Sequence, residues 1–523
     1  MHGHQHTITI DPITRIEGHL KVECVLDDGV VKEARTGGTL FRGFEKIMVG
    51  HHPTDAPILT QRVCGVCPIA HATASALALD DAFGIADRIP DNGRIIRNLI
   101  LGANILQSHI LHFYHLAALD FVDVTAVANY RGDDAALQSI RDFIGRGELA
   151  PFVPRYEGDY RLSAKQNREA TQHYALALNM RRRSHELLAV FGGKMPHQCA
   201  IVAGGVTSVP TSDTIGAFLS MLNEVRQFID SQYVSDVLMV AKAYPDYFEI
   251  GAGPGRWLAY GGLDLETKPA DLLKRKRFFA SGRANGGLQA TDVDQARIAE
   301  HVRHAWFADE TSNKHPSQGE TEPEPGKAGG YSWIKAPRYD GAPHEVGPLA
   351  RTAVAYARGN RGIKGEVNRL LRRFDAEAGA LNSTLGRHAA RALETKRVAD
   401  AMADWAMQLK PGEPVAAPFT VPDEGAGMGL TDAPRGALGH WIEIEGGHIA
   451  RYQLVVPTTW NASPHDDADT PGPMEQALIG TPIRDAENPF EIVRIVRSFD
   501  PCLACSIHLA TPKGDRITEC RVV

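Results

Sequence analysis

The sequence predicts a mainly helical fold with smaller α/β margins, in which a core of long helices follows an N-terminal segment rich in strands. Apolar residues recur at helical spacing over long stretches between residues 70 and 244, and again from 349 to 409. Residues 7–50 instead alternate apolar and polar side chains, as strands do. No change in composition divides the chain of 523 residues, so we expect a single domain.

The N-terminal segment is predicted to form strands at 7–10 and 19–26. We expect Cys24 to be buried within the second of them. The connector at 11–19 carries Asp11, Arg15, Glu17 and His19, so that acid, base and imidazole lie in one short turn, which is unusual for a plain connector.

Helix signals divide most of the remaining chain. Ser163 is a favourable N-cap, and Gly192-Gly193 is a favourable helix end, so one long helix lies between them. In chain order, we expect helices at about 70–83, 93–122, 163–193, 211–233, onward to 244, and 349–409 with a break near 359–360. Residues 246–345 are expected to be irregular and poor in strands, with a polar surface loop at 316–330. The region from residue 416 onward is expected to form loops and short strands, the strands lying around 441–444 and 452–456.

Composition excludes several classes of protein. The formal net charge is −7, from 56 basic and 63 acidic residues without a basic block, which argues against nucleic acid and anionic membranes as partners. No apolar run is long enough to span a membrane. The first six residues lack the basic and apolar regions of a secretory signal.

Two Cys-x-x-Cys pairs lie at opposite ends of the chain: Cys64 with Cys67, and Cys502 with Cys505. Thiolates are ligands for zinc, Fe–S clusters, nickel and low-valent iron. A structural zinc site is one alternative, but its cysteine pairs usually lie close in sequence. A redox dithiol is another, but it needs only one pair. We therefore favour a functional metal centre that the fold assembles from both ends of the chain.

Polar residues flank both pairs and have the chemistry to hydrogen-bond buried thiolates or balance their charge. These are Arg62, His71, Asp500 and His508. Glu17 is a candidate proton relay, since carboxylates perform that task in buried sites. The alternative for Glu17 is a structural salt bridge with Arg15.

These motifs resemble the large subunit of [NiFe]-hydrogenases, and the similarity covers essentially the whole chain. The resemblance rests on an ordered set of segments: RIEGH (15–19), RGFE (42–45), RVCGVC (62–67), GKMPH (193–197), KAPRY (335–339), EVGPLAR (345–351), APRG (433–436), VPTT (456–459) and DPCLAC (500–505). It implies the fold of that family, with the domain spanning residues 1–508.

The resemblance implies that all four cysteines hold a nickel ion, with Cys67 and Cys505 bridging to an iron that carries CO and cyanide. Cys502 corresponds to the terminal nickel ligand that relatives of the selenium type replace by selenocysteine. Glu45 and His508 would bind a separate magnesium or ferrous ion near the C-terminus. From residue chemistry alone, Glu45 would be a solvated surface carboxylate.

The resemblance also assigns roles around the centre. Glu17 would transfer protons beside the terminal thiolate. Arg435 would lie over the open face, pair with a cyanide and be a candidate base, while Asp500 holds it in place. Thr458 would donate its hydroxyl to the other cyanide. Ser108 stands on the long helix where many relatives have an aspartate, and Gln61 replaces an acid, which leaves the detail over the centre open.

The implied activity is reversible heterolytic cleavage of H2, in the direction of H2 oxidation, in which a metal takes the electron pair and a basic group takes the proton. The remaining cysteines are scattered (Cys24, Cys199 and Cys520). We therefore expect no Fe–S cluster in this chain and a heterodimer with an Fe–S small subunit. His197 matches a position facing that partner; the alternative is a structural loop histidine. A quinone-module subunit related to respiratory complex I is a rival function, but such relatives lack the four cysteines.

The tail of residues 509–523 follows His508. In the family, an endopeptidase removes such a tail after chaperones have inserted nickel, so we expect cleavage between His508 and Leu509; the alternative is a retained C-terminal strand. Because relatives are often exported in the folded state by a signal on the small subunit, we expect a periplasmic or membrane-associated location, with the cytoplasm as the alternative.

Overall fold

The computed structural model describes residues 6–150 and 152–506, without the side chains of Cys505 and Ser506. Helices account for most of the regular structure in this part. In chain order they are α1 Phe44–Met48, α2 Ala56–Thr60, α3 Pro68–Ala82, α4 Asp91–Leu111, α5 Ala135–Gly145, α6 Ala164–Gly192, α7 Ser212–Phe228, α8 Val234–Ala243, α9 Pro348–Ala357, α10 Arg361–Arg373, α11 Thr384–Ala406, α12 Pro457–Asn461, α13 Pro473–Leu478, α14 Phe490–Ser498 and α15 Leu503–Ser506.

The strands form small antiparallel sheets of two or three strands each. In chain order they are β1 His6–Ile10, β2 Leu20–Asp27, β3 Val30–Gly38, β4 Ile201–Val202, β5 Gly205–Val206, β6 Arg256–Ala259, β7 Gly262–Asp264, β8 Arg277–Phe279, β9 Gly282–Asn285, β10 Ala290–Thr291, β11 Ile298–His301, β12 Ala336–Tyr339, β13 Gly425–Ala433, β14 Gly436–Glu445 and β15 His448–Val455. The predicted fold class, a mainly helical body with an N-terminal β-rich segment, is confirmed.

The core is a bundle in which α4 packs against α6 and α11, and α7 packs against both α6 and α11. The predicted cap of α6 is present, because Ser163 and Gln166 form a reciprocal capping box. Two predicted helices are interrupted: α4 ends at Leu111 and continues as a π-helical turn, His112–Ala117, and a similar turn separates α7 from α8.

Three predictions about the second half were wrong. The stretch 246–345 contains seven strands, β6–β12, which are only two to four residues long and so show no periodicity in sequence. Residues 374–383 form a second break before α11. The C-terminal region has a long three-stranded meander, β13–β15, and the helices α12–α14, rather than loops and short strands.

The two ends of the chain meet beside the bundle. The sheet β1–β3 shares a hydrophobic cluster with α13 and α14, and Cys24 is fully buried in β2 as predicted. The backbone N–H of Leu503 donates to the carbonyl of Glu17 at 2.8 Å, and Glu17 pairs with Cys502 in a parallel bridge. This contact brings the C-terminal cysteine motif to the connector that follows β1.

Glycines allow the meander to lie directly on α3. A Cβ atom at Gly429 would lie 1.8 Å from the carbonyl oxygen of Ala74, and one at Gly427 would lie 2.2 Å from that of Ala78. Because both neighbours are helix backbone, neither can move aside cheaply. The close approach places β13 and β14 against α3, the helix that follows the first cysteine pair.

We expect Gly429→Ala to lower the free energy of unfolding by about 1–3 kcal/mol, the usual cost of overpacking a well-packed core. Thermal unfolding of the purified protein measures this effect. Gly425→Ala is the matched control, since its Cβ would lie 3.2 Å from the carbonyl oxygen of Ala82. Equal midpoints for the two variants would contradict the packing argument.

Candidate metal centre

Three cysteine sulfurs converge in the interior. The Sγ of Cys502 lies 3.3 Å from that of Cys64 and 3.9 Å from that of Cys67. All three side chains are buried, and none forms a disulfide. The two cysteine motifs, 435 residues apart between Cys67 and Cys502, therefore meet as the sequence predicted.

Local structure orients the first pair toward one point. Cys64 follows a 3-10 turn, Gln61–Val63, and Cys67 is the N-cap of α3. The backbone N–H groups of Val66 and Cys67 lie 3.2 and 3.4 Å from the Cys64 sulfur, toward which they point. These donors stabilise a thiolate, as a metal ligand requires.

The sulfur spacing fits a metal ion. Metal–sulfur bonds of about 2.3 Å in tetrahedral geometry place ligand sulfurs roughly 3.7 Å apart, close to the observed separations. The sulfur atoms of the three cysteines all lie within 4.8 Å of one another. The side chain of Cys505, the fourth predicted ligand, lies outside the described residues, as does His508.

Glu17 lies beside the cluster. Its Oε2 accepts a hydrogen bond from the backbone N–H of Ala504 at 2.8 Å and lies 3.3 Å from the Cys502 sulfur. Burial raises the pKa of Glu17, and the nearby Cys64 raises it further. The alternative of a salt bridge to Arg15 is wrong, because Arg15 pairs with Asp120 at 2.5 Å instead.

The guanidinium of Arg435 faces the cysteine cluster from the hairpin between β13 and β14. Arg435 occupies the two-residue hairpin between β13 and β14 and is buried. Its Nε donates to the backbone oxygen of Asp500 at 2.9 Å, its Nη2 to Oδ1 of Asp500 at 2.8 Å and its Nη1 to the hydroxyl of Ser108 at 3.2 Å. Burial alone would lower the pKa of Arg435, but Asp500 and the cysteine thiolates raise it well above its usual value.

Two further predicted residues lie close to the cluster. The hydroxyl oxygen of Thr458, in the first turn of α12, accepts a hydrogen bond from the backbone N–H of Cys502 at 3.0 Å. His71 lies on α3, one turn after Cys67, and its Nδ1 is 3.2 Å from Nε2 of His440. Sequence reasoning missed His440, because nothing in a single sequence relates a residue of β14 to α3.

Arg62, which precedes the first cysteine pair, lies at the surface of this chain. Gln61 and Val63 of its 3-10 turn are buried, so Arg62 between them points outward and is exposed. Its predicted role beside the buried thiolates stays a prediction. Half-buried His197 lies near Arg62, whose positive charge adds to burial in lowering the pKa of His197.

Glu45, in the first turn of α1, is half-buried rather than solvated, and its Oε2 atom is buried. Its Oε2 has no hydrogen-bond partner among the described residues. Burial raises the pKa of Glu45, and the charge of Lys335 opposes that rise. Glu300 lies close to both, since Lys335 donates to it at 3.5 Å and Glu45 raises its pKa. An unpartnered buried carboxylate oxygen beside a second carboxylate fits a divalent cation.

Comparisons with known proteins agree with this centre. The nickel-dependent hydrogenase family model matches residues 42–508, and a HoxL-like model matches residues 7–37. The chain is 40% identical over 516 residues to the periplasmic [NiFeSe] hydrogenase large subunit of Desulfomicrobium baculatum, covering 96% of this chain and 95% of that protein. It is 36% identical over 580 residues to the uptake hydrogenase large subunit of Rhizobium leguminosarum bv. viciae, covering 98% and 97%.

Solved structures of hydrogenases are also similar to this chain. The Ni-Fe-Se hydrogenase of D. vulgaris Hildenborough in its reduced state matches with a TM-score of 0.86 and 42% identity, over 96% of this chain and 100% of that one. Among the described residues, no helix is long and apolar enough to cross a membrane. With matches over nearly its full length, the chain belongs to the nickel-dependent hydrogenases, as a large, catalytic subunit.

Proposed function

We propose that this subunit oxidises H2 at a nickel–iron centre held by Cys64, Cys67, Cys502 and Cys505, with CO and cyanide on the iron. The convergence of three buried sulfurs beneath Arg435 and beside Glu17 carries the proposal. When bound, the centre supplies the electrophile that polarises H2 and accepts its electron pair.

The protein's own groups move the proton. The Cys502 sulfur lies 3.3 Å from Oε2 of Glu17, so a proton taken up by this thiolate is within reach of the Glu17 carboxylate. The raised pKa of Glu17 brings the carboxyl closer to neutral pH, which suits a group that must both accept and release a proton. Burial excludes water and strengthens these interactions.

Arg435 and Thr458 hold the anionic ligands of the centre. Because Asp500 and the thiolates keep the guanidinium charged, pairing with cyanide is favoured over a role as base. The Thr458 oxygen already accepts from the Cys502 N–H, so its own proton is available to a second cyanide. Asp500 positions Arg435 from two of its atoms.

Replacing Arg435 by lysine keeps the charge but removes the fork that contacts both Asp500 and Ser108. We expect H2 oxidation to fall by about 10–100-fold, as for other residues that orient a metal site, with nickel content unchanged. Initial rates with an artificial electron acceptor measure it. Arg451→Lys, at an exposed surface position, is the control and should behave as wild type.

A second cation site and a processing step complete the proposal. Glu45 and His508 would bind magnesium or ferrous iron near the C-terminus, supported by the unpartnered Oε2 of Glu45. Residues 509–523 would be removed by a maturation endopeptidase after nickel insertion by chaperones, which leaves 1–508 as the mature domain.

The electrons leave through a partner. The relatives are large subunits, which implies a small subunit, and we propose that it carries Fe–S clusters and contacts the face around His197. Exposed apolar side chains in the segment that precedes the first cysteine pair are consistent with a partner surface there, namely Leu40, Ile47, Val49 and Ile58. We propose export together with that subunit to the periplasm or the membrane surface; a cytoplasmic complex is the alternative.

Metal content and intact mass, measured on the chain purified with its partner, test the proposal. We expect one nickel and one iron beyond the partner's clusters, and a mass that ends at His508. Zinc alone, or no metal together with an intact tail in otherwise mature cells, would leave only a scaffold role for the four cysteines.

A further inference from the structure

A chain of buried polar side chains runs from α3 into the β13–β15 meander. The Nδ1 of His71 lies 3.2 Å from Nε2 of His440, and Nδ1 of His440 lies 2.7 Å from the hydroxyl of Tyr452. All three are at most 1% exposed. Ser75 of α3 lies near the Tyr452 hydroxyl and opposes the rise in the pKa of Tyr452.

The geometry follows from both elements. Cys67, His71 and Ser75 are spaced four residues apart along α3, and therefore share one face of the helix. In the meander, Tyr452 is opposite Ile442, two residues from His440, so the two side chains are diagonal neighbours on one sheet face.

His440 and Tyr452 both stay neutral. Burial lowers the pKa of His440 well below its usual value, and burial raises that of Tyr452. A neutral imidazole carries one N–H and one bare nitrogen. Each hydrogen bond in the chain therefore fixes the direction of the next.

The donor–acceptor direction of these hydrogen bonds is set by the acceptor at the cysteine end of the chain of side chains. Side chains on a helix lean toward its N-terminus, which directs the ring of His71 toward the Cys67 end of α3. Because Nδ1 contacts His440, Nε2 is the ring nitrogen that can reach the sulfur ligands. A metal-bound thiolate is an acceptor, so an N–H is favoured there over a second lone pair. His71 Nδ1 must then accept from His440 Nε2–H, and His440 Nδ1 must accept from the Tyr452 hydroxyl.

We propose that Tyr452 and His440 are positioning residues that hold His71 as its Nε2–H tautomer, donating a hydrogen bond toward the sulfur ligands of the metal centre. The proposal rests on the proposed function. A donor at a ligand sulfur withdraws electron density from the metals, as hydrogen-bonded ligands do at other metal sites. Its loss would leave the iron more electron-rich and weaken the C–O bond of its carbonyl.

Infrared spectra of the purified heterodimer test this. We expect the CO band to shift to lower wavenumber in His440→Leu, and by less in Tyr452→Phe, with nickel content unchanged. His440→Gln should keep the wild-type band, because its amide N–H can replace the imidazole donor. Tyr260→Phe is the matched control, since this buried hydroxyl has no hydrogen-bond partner among the described residues.

H2 oxidation should fall by about tenfold in His440→Leu, the lower end for residues supporting a metal ligand, and recover in His440→Gln. An unchanged CO band in nickel-loaded Leu and Phe variants would overturn the proposal and leave only a packing role. A shift to higher wavenumber would also overturn it, because the chain would then run in the opposite direction. A wild-type protein without nickel or a CO band would refute the proposed function itself.

Discussion

We expect Cys502→Ser to abolish H2 oxidation and to deplete nickel from the purified subunit. Cys502 is the sulfur shared by both short contacts of the cluster, at 3.3 Å to Cys64 and 3.9 Å to Cys67. A serine hydroxyl is a harder and far less acidic ligand than a thiol, and it binds soft metals poorly. Since altering residues that merely support a ligand costs 10–100-fold, loss of the ligand should exceed about 100-fold.

Nickel per subunit and the rate of H2 oxidation are the two measurements for this variant. Cys199→Ser is the matched control at an exposed position and should retain full nickel and rate. Cys24→Ala controls for a buried cysteine: burial raises the pKa of Cys24 to about 12, so it stays a thiol and should not bind nickel. A Cys502→Ser protein with full nickel and full rate would exclude this cluster as the active centre.

Features that depend on residues close together in the chain could be predicted from the sequence. The two cysteine pairs are recognisable because thiolates in pairs are rare, and the α6 cap at Ser163 because capping depends on four neighbouring residues. Glu17 stood out as a carboxylate in a short polar connector. Each of these depends on residues within one turn or one loop.

The remaining features depend on tertiary packing. Gly425, Gly427 and Gly429 weaken the strand signal of β13, although the missing side chains of Gly427 and Gly429 are what allow the strand to lie on α3. The contact of Ser108 with Arg435 joins residues 327 apart in the chain. The exposure of Arg62 depends on which face of its turn is covered by the rest of the protein, and the pattern of a single sequence does not show this.

Proton transfer through Glu17 predicts the second large effect. We expect Glu17→Gln to retain nickel and to lower the rate of H2 oxidation by about 10²–10⁴-fold, the usual contribution of a positioned acid–base group. The amide oxygen can still accept from the Ala504 N–H at the position of Oε2, so the local structure should persist. Rates with an artificial acceptor, alongside exchange of D2 with solvent protons, should fall together.

The dependence of the H2-oxidation rate on pH should differ between the wild type and Glu17→Gln. Glu17 must be deprotonated to take a proton from Cys502, so the wild-type rate should rise as pH increases through the pKa of this carboxyl. Burial raises that pKa, which moves the rise to higher pH than for an exposed glutamate. Glutamine cannot titrate, so this limb should disappear in Glu17→Gln but remain in Glu23→Gln, a partly exposed neighbour on β2. If Glu17→Gln kept both its rate and this limb, protons would have to leave by a path that avoids Glu17, and the 3.3 Å contact with Cys502 would be structural only.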